Sequence, residues 1–278
     1  MNGVGAPAGP GQTAGAGQGP RTSEEAGVGA PAGPGQQSLR FRYTKLGKIR
    51  FTSQRDVARM WERAFRRIGL PVAWSEGFSP RPLLSFGLAL PTGAESLGEY
   101  LDVRLDGPLS FGPEIGVDLG ELCDRLSGLL PGGLTVQAAA FVPDDGSSLQ
   151  QEVSSCCWDL EVFGLALNEL AARVERLLDA PSVVVRRVRK GRSVEDDLRP
   201  AVRTLTVLST EGAWQLRAEV ATQPRGVRPG ELLEGLGAGL ELARACRRHQ
   251  WIERDGTRWE PLDVGPGTAA PHAQGRAS

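Results

Sequence analysis

Residues 40–91 read RFRYTKLGKIRFTSQRDVARMWERAFRRIGLPVAWSEGFSPRPLLSFGLALP, and their reading decides the fold. Leu39, Phe41 and Tyr43 alternate with Arg40, Arg42 and Thr44, the period of a half-buried strand. Leu46-Gly47-Lys48 supplies a turn and Ile49 to Thr52 a second short strand, so a hairpin is predicted. Ser53 followed three residues on by Asp56 is a capping box that satisfies the orphan amides of a helix start. Val57, Met60, Trp61, Ala64, Phe65 and Ile68 then fall on one helical stripe, with Arg55, Arg59, Arg63, Arg66 and Arg67 on the opposite face. Gly69 caps the helix and Pro71 prevents its resumption. A strand at Val72 to Trp74, a loop from Ser75 to Pro82 and a strand from Leu83 to Leu90 complete the stretch.

Working outward, Tyr100 to Leu105 reads as a strand, Leu119 to Leu130 as a short helix broken by Pro131-Gly132-Gly133, and Leu134 to Val142 as a strand. Residues 144–155 are polar and read as a linker. The same order then returns, with strands at Trp158 to Phe163, Ser182 to Arg189, Val202 to Thr210 and Trp214 to Ala221. Helices at Leu167 to Leu178 and Glu231 to Leu240 and a last strand at Cys246 to Arg254 follow the same pattern. The expected fold class is α+β, with two ferredoxin-like antiparallel-sheet domains at residues 38–143 and 156–260, helices packed on one face. A Gly/Ala/Pro-rich leader at 1–37, in which GVGAPAGPGQ occurs at Gly3 to Gln12 and again at Gly27 to Gln36, reads as disordered. The tail at 261–278 reads the same way.

Composition limits the classes of function. The 278 residues sum to a charge of −1, yet Arg40 to Arg67 holds ten Lys/Arg against Asp56 and Glu62. A charge so concentrated marks a face with a purpose. Between Glu95 and Arg125 the balance reverses, with eight acidic residues against two arginines. Cys123, Cys156, Cys157 and Cys246 show no metal-ligand spacing, and the histidines are His249 and His272, so neither a zinc site nor a disulfide framework is expected. No secretory signal and no run of eighteen apolar residues is present, which predicts a cytoplasmic protein without a membrane partner.

Three stretches are candidates for binding. The first is the arginine face of the helix, Arg55, Arg59, Arg63, Arg66 and Arg67, with Lys45, Lys48 and Arg50 just before it. Guanidinium forks suit phosphate, so an RNA backbone matches them. The competing reading is pairing with the acidic Glu95 to Asp124 segment. The second is the loop Ser75, Glu76, Gly77, Phe78, Ser79, Pro80, Arg81 and Pro82, where Phe78 would stack on a base and Arg81 would meet a phosphate. Its alternative is a tight connector with Phe78 buried. The third is a basic hairpin-like arm bearing Arg186, Arg187, Arg189 and Lys190, with Glu195-Asp196-Asp197 at its centre, which would clamp nucleic acid or a protein partner; its alternative is a solvated loop with internal ion pairs. No Ser/His/Asp or Cys/His constellation can be assembled, so no catalytic residue is assigned, and Gly235, Gly237 and Gly239 lack the Lys-Ser/Thr of a phosphate loop.

The ordered motifs Phe51-Thr52-Ser53-Gln54-Arg55-Asp56, Glu62-Arg63-Ala64-Phe65-Arg66-Arg67, Ser75 to Pro82, Leu90-Pro91-Thr92-Gly93, Glu99-Tyr100-Leu101-Asp102 and Asp197-Leu198-Arg199-Pro200 resemble a known family. It is that of the radical SAM-linked proteins carrying domain of unknown function DUF2344. In that family the domain is fused to, or encoded beside, a radical S-adenosylmethionine domain. The resemblance therefore implies a radical SAM enzyme as partner, holding the iron–sulfur cluster and S-adenosylmethionine, since this chain has no C-x-x-x-C-x-x-C motif and needs no cofactor of its own. The resemblance also implies that many relatives carry His where this chain has Gln54, and often His where it has Arg81, so an acid/base role at those positions is not expected here. The leading expectation is a non-catalytic accessory module that binds tRNA or rRNA. A protein–protein adaptor is the alternative, and an RNA-processing or RNA-modifying enzyme the third.

Overall fold

The computed structural model describes residues 38–107, 118–142, 148–189, 191–208 and 215–262. Their elements begin with β1 (Ser38–Lys45), α1 (Gln54–Ile68), β2 (Leu84–Phe86), β3 (Glu95–Arg104), α2 (Leu119–Leu129) and β4 (Leu134–Val142). There follow α3 (Leu149–Glu152), β5 (Val153–Phe163), α4 (Leu167–Asp179), β6 (Val184–Arg189), β7 (Arg192–Asp197), β8 (Val202–Val207) and β9 (Leu216–Ala221). The series closes with α5 (Pro229–Leu236), β10 (Glu241–Arg254) and β11 (Thr257–Trp259).

The architecture is α+β around a large, mostly antiparallel sheet in the order β4-β1-β3-β10-β5-β9-β8, with β2 added along β3 and β11 along β10. Within it, β4-β1-β3-β2 come from the first half of the chain and β10-β5-β9-β8 from the second, and every pair inside each set is antiparallel. The two sets meet where Glu95 and Ser96 of β3 run parallel to Cys246 and Arg247 of β10. A separate two-stranded ribbon, β6-β7, stands off the sheet.

Two apolar clusters hold the helices to this sheet. Trp61 and Phe65 of α1 pack on Phe41 and Tyr43 of β1 with ring centroids 5.2–5.7 Å apart, and Leu101 and Val103 of β3 complete the floor. Burying each such ring removes enough apolar surface to contribute roughly 1.5–3 kcal/mol. Around β5, β8 and β9 the second cluster gathers Leu170, Val174 and Leu177 of α4 with Leu232, Leu233 and Leu236 of α5. At Gly164, just after β5, φ is +104° and a Cβ would lie 2.0 Å from the carbonyl oxygen of Gly239, so only glycine fits that crossing.

Several expected elements differ. Ile49 to Thr52 forms no second strand: Gly47–Phe51 is a 3-10 turn, and β1 pairs instead with β3 and β4. The turn is held by a distant partner that local spacing does not reveal, the Leu46 N–H donating to the Gly133 carbonyl, and the Lys45 ammonium closes it locally on the Thr52 carbonyl, each at 2.9 Å. Val72 and Trp74 make isolated bridges to Leu105 and Pro82, because Pro71, Pro80 and Pro82 remove ladder donors. The stretch predicted as a linker carries α3 and the start of β5 from Leu149 onward, with Leu149 and Val153 fully buried. Helix α5 stops at Leu236 because Gly237, at φ +99°, breaks it short of Leu240. The leader at 1–37 and residues 263–278 of the tail lie outside the described residues, as do Pro143 to Gly146 and Ser147.

The seam between the halves is polar. Arg247 is buried, and its guanidinium donates to both Glu99 oxygens from Nη2 at 2.7 and 2.8 Å and again from Nε at 3.0 Å. It also donates to the carbonyl of Leu88 at 2.7 Å and lies over the Trp158 ring. Burial opposes its charge, but Glu99 outweighs that and holds its pKa above the ordinary arginine value. Beside it, Gln250 donates to the Gly98 carbonyl at 2.7 Å, and Arg40 forms a two-bond fork with Asp102 at 2.7 and 2.8 Å. The alternate positions of β1 are thus polar without facing water, since Arg40 also donates to the Pro261 carbonyl at 2.9 Å.

Candidate nucleic-acid interface

Helix α1 is fixed at both ends. Ser53 Oγ accepts the Asp56 N–H at 3.2 Å and donates to the Asp56 carboxylate at 2.7 Å, and Gly69 at φ +72° lets the chain turn away. With Trp61 and Phe65 held in the core, Arg55, Arg59, Arg63, Arg66 and Arg67 are all exposed. Arg59 reaches Asp56 at 3.4 Å and Arg66 reaches Glu62 at 3.8 Å, both loose contacts in solvent. Arg55, Arg63 and Arg67 have no carboxylate partner among the described residues. The acidic segment does not neutralise this face: among the described residues its Glu95 pairs with Arg50 and Arg244, Glu99 with Arg247, and Asp102 with Arg40.

The loop that follows continues the same face. The Arg66 guanidinium lies over the ring of Trp74, 5.8 Å from its centroid, and Trp74 is half exposed. Two bonds close the loop at its base, the Ser75 N–H to the Arg81 carbonyl at 2.8 Å and the Arg81 N–H to Ser75 Oγ at 3.0 Å. Gly77, at φ +116°, carries the turn, and Phe78 stands fully exposed at its tip. Glu76, Pro80 and Arg81 are exposed, while Pro82 is partly buried and its backbone bridges that of Trp74. The side chains of Gln54 and Arg81 are both exposed.

The other predicted basic residues are placed differently. Lys45 is buried and withdrawn from any surface; burial draws its pKa below that of an ordinary lysine, while Glu99 opposes the shift. Lys48 is exposed, whereas Arg50 is half-buried, 3.2 Å from Glu95 and over the Phe51 ring. On the β6-β7 ribbon Arg186 meets Glu195 at 3.2 Å and Arg187 pairs with Asp196, so the arm's acidic centre answers its own arginines. The side chain of Arg189 and residue Lys190 lie outside the described residues.

A cleft of about 910 Å³ lies between the halves, with Arg50, Phe51 and Gly93 on one wall and Arg228, Glu231 and Arg244 among the residues of the other. Its walls are far apart in the chain, and no local spacing signals it. Glu95 sits against it. Burial alone would raise its pKa, but the Arg244 guanidinium, the Gly47 N–H and Arg50 together hold its carboxyl below the ordinary glutamate value of about 4.3. A depressed folded-state pKa gives stability that is present above the ordinary value and lost as the pH falls through the folded one. Glu95→Gln should therefore be less stable than the parent at neutral pH and converge on it as the pH falls through that lowered value, as read from urea midpoints at a series of pH values.

Burial pushes the thiols of Cys123, Cys156 and Cys246 up to about 11 and raises that of Cys157, which disfavours the thiolate at neutral pH. Among the described residues no group of three His, Cys, Asp or Glu is placed to hold a metal ion, and no helix is long and apolar enough to cross a membrane.

Fold and surface together define an α+β protein with an exposed arginine helix beside an aromatic-tipped loop. The chain belongs to the family described as an uncharacterized protein conserved in bacteria, DUF2344, whose profile matches residues 38–229. No curated protein matches it. Among solved structures, one chain of a Cbf5-Nop10-Gar1 complex superposes with a TM-score of 0.38 at 12% identity, over 76% of this chain and 48% of that one. A chain of the archaeal box H/ACA sRNP Nop10-Cbf5 complex gives 0.35 at 11% identity, over 75% and 46%. A chain of an H/ACA RNP bound to a substrate RNA containing 2'-deoxyuridine gives 0.33 at 13%, over 78% and 48%. This chain spans about half the length of the chains it matches.

Proposed function

We propose that this protein is a non-catalytic accessory module that binds RNA, such as tRNA or rRNA, on the α1 face and presents it to a radical SAM enzyme in the cytoplasm. The observation that carries the reading is the set Arg55, Arg63 and Arg67, three exposed guanidinium groups on one helix without a carboxylate partner among the described residues. Like charges on one helix face repel unless an anion answers them, and a phosphate backbone supplies anions at repeated spacing. Trp74 and Phe78 beside them give stacking surfaces for unpaired bases, each contributing about 1–3 kcal/mol. We read each half of the sheet as a ferredoxin-like unit, on the strength of the strand orders β4-β1-β3-β2 and β10-β5-β9-β8 with a helix after the first and third strand of each.

The radical SAM partner rests on the motif resemblance, and the iron–sulfur cluster and S-adenosylmethionine are assigned to that partner. Tagged protein recovered from its native cell after nuclease treatment should retain an iron–sulfur protein with the C-x-x-x-C-x-x-C motif. Loss of every such protein on washing would remove the partner from the proposal. If the isolated chain binds that enzyme but shifts no RNA, the exposed Trp74 and Phe78 serve a protein interface instead.

A further inference from the structure

We propose that the cleft between the two half-sheets binds a nucleoside phosphate, a site separate from the α1 face. Its volume, about 910 Å³, falls in the range of roughly 300–1,000 Å³ that encloses small ligands. The cations on its walls are not equivalent. Arg50 and Arg244 are held by Glu95 at 3.2 and 2.7 Å, and Arg187 by Asp196. Arg228, just before α5, is exposed and has no carboxylate partner for its side chain among the described residues. The carboxylates near it are occupied: Glu231 takes Arg225 at 2.9 Å and the Arg228 N–H at 3.1 Å, and Glu234 takes the Arg186 N–H at 3.0 Å. A guanidinium fork left open in a cleft with other arginines is a phosphate receptor.

The opposite wall supplies the second half of the chemistry. Phe51 is 62% exposed, although it sits inside the cleft's lining, and the Arg50 guanidinium lies 4.6 Å from its ring centroid. Gly93, at φ +89°, passes close behind it, so the ring is backed by the 91–94 turn. Leu242 is also exposed on the lining. An exposed aromatic ring and an open guanidinium lining the same cleft fit a planar base joined to a phosphate, with the phosphate on Arg228 and the base against Phe51 and the Arg50 guanidinium beside it.

Calorimetric titration of the full chain with AMP, with inorganic phosphate and with a 5′-phosphorylated dinucleotide tests this. Arg228→Ala should weaken AMP at least about tenfold, as expected for losing one charge-assisted fork. Phe51→Ala should weaken AMP several-fold while leaving inorganic phosphate unchanged, and the Arg55/Arg63/Arg67→Ala variant should bind AMP like the parent. Tighter binding of AMP than of the dinucleotide identifies a free nucleotide as the ligand, and the reverse identifies an RNA 5′ end. Absence of binding by the parent to both AMP and the dinucleotide overturns the site, as does equal AMP affinity in Arg228→Ala.

Discussion

Arg247→Met is expected to lower the unfolding free energy by about 3–5 kcal/mol, the cost of leaving a buried carboxylate without its partner. The Glu99 carboxyl would be left in the seam with three hydrogen bonds gone, and the Leu88 carbonyl would lose its donor. For a chain of this size the midpoint of thermal unfolding should fall by roughly 6–20 °C. The double variant Arg247→Met with Glu99→Leu should recover most of the loss, because an apolar pair of similar volume avoids the desolvation that the ion pair must offset. Recovery would show that the pair adds little net stability. Urea unfolding of the two variants beside the parent measures this. A single variant within about 1 kcal/mol of the parent would mean that water reaches the seam.

Replacing Arg55, Arg63 and Arg67 together by Ala should weaken binding to single-stranded RNA by roughly a hundredfold near physiological salt. Each exposed charge-assisted contact contributes on the order of 1 kcal/mol, and three such contacts multiply. The loss should be the same for unrelated sequences, since phosphate contacts carry no base information. Folding does not confound the test: the three side chains point away from the Trp61 and Phe65 core, and Ala is the better helix former. Phe78→Ala should act differently, reducing affinity for unpaired RNA while leaving duplex binding little changed.

Helix α1 was legible in the sequence because its signals are local. A serine cap, an apolar stripe at helical spacing and a terminal glycine act within one or two turns, and each lies where the spacing puts it. Phe78 reads from the sequence as a loop residue, but exposure is a tertiary property, and composition alone does not separate a buried ring from an exposed one. The hairpin at Ile49 to Thr52 misled because alternation reports two environments, not water on one side. Arg40 and Arg42 look like the wet face of an edge strand, yet they are partnered by Asp102 and Glu260 and covered by the chain's last described residues. Lys45 misled for the same reason, its charge being drawn inward by the Thr52 carbonyl and Glu99. The cleft was invisible because the residues before β3 and those around α5 converge only through the β3-β10 junction, a pairing of strands far apart in the chain.

The salt dependence of RNA binding bears most directly on the α1 face as a phosphate-binding surface. Affinity for a single-stranded RNA, measured by fluorescence anisotropy over a series of salt concentrations, should fall steeply for the parent. For the Arg55/Arg63/Arg67→Ala variant the slope of log K against log salt should be shallower by about 2, or about 0.7 for each phosphate contact removed. Equal slopes for parent and variant would contradict the account.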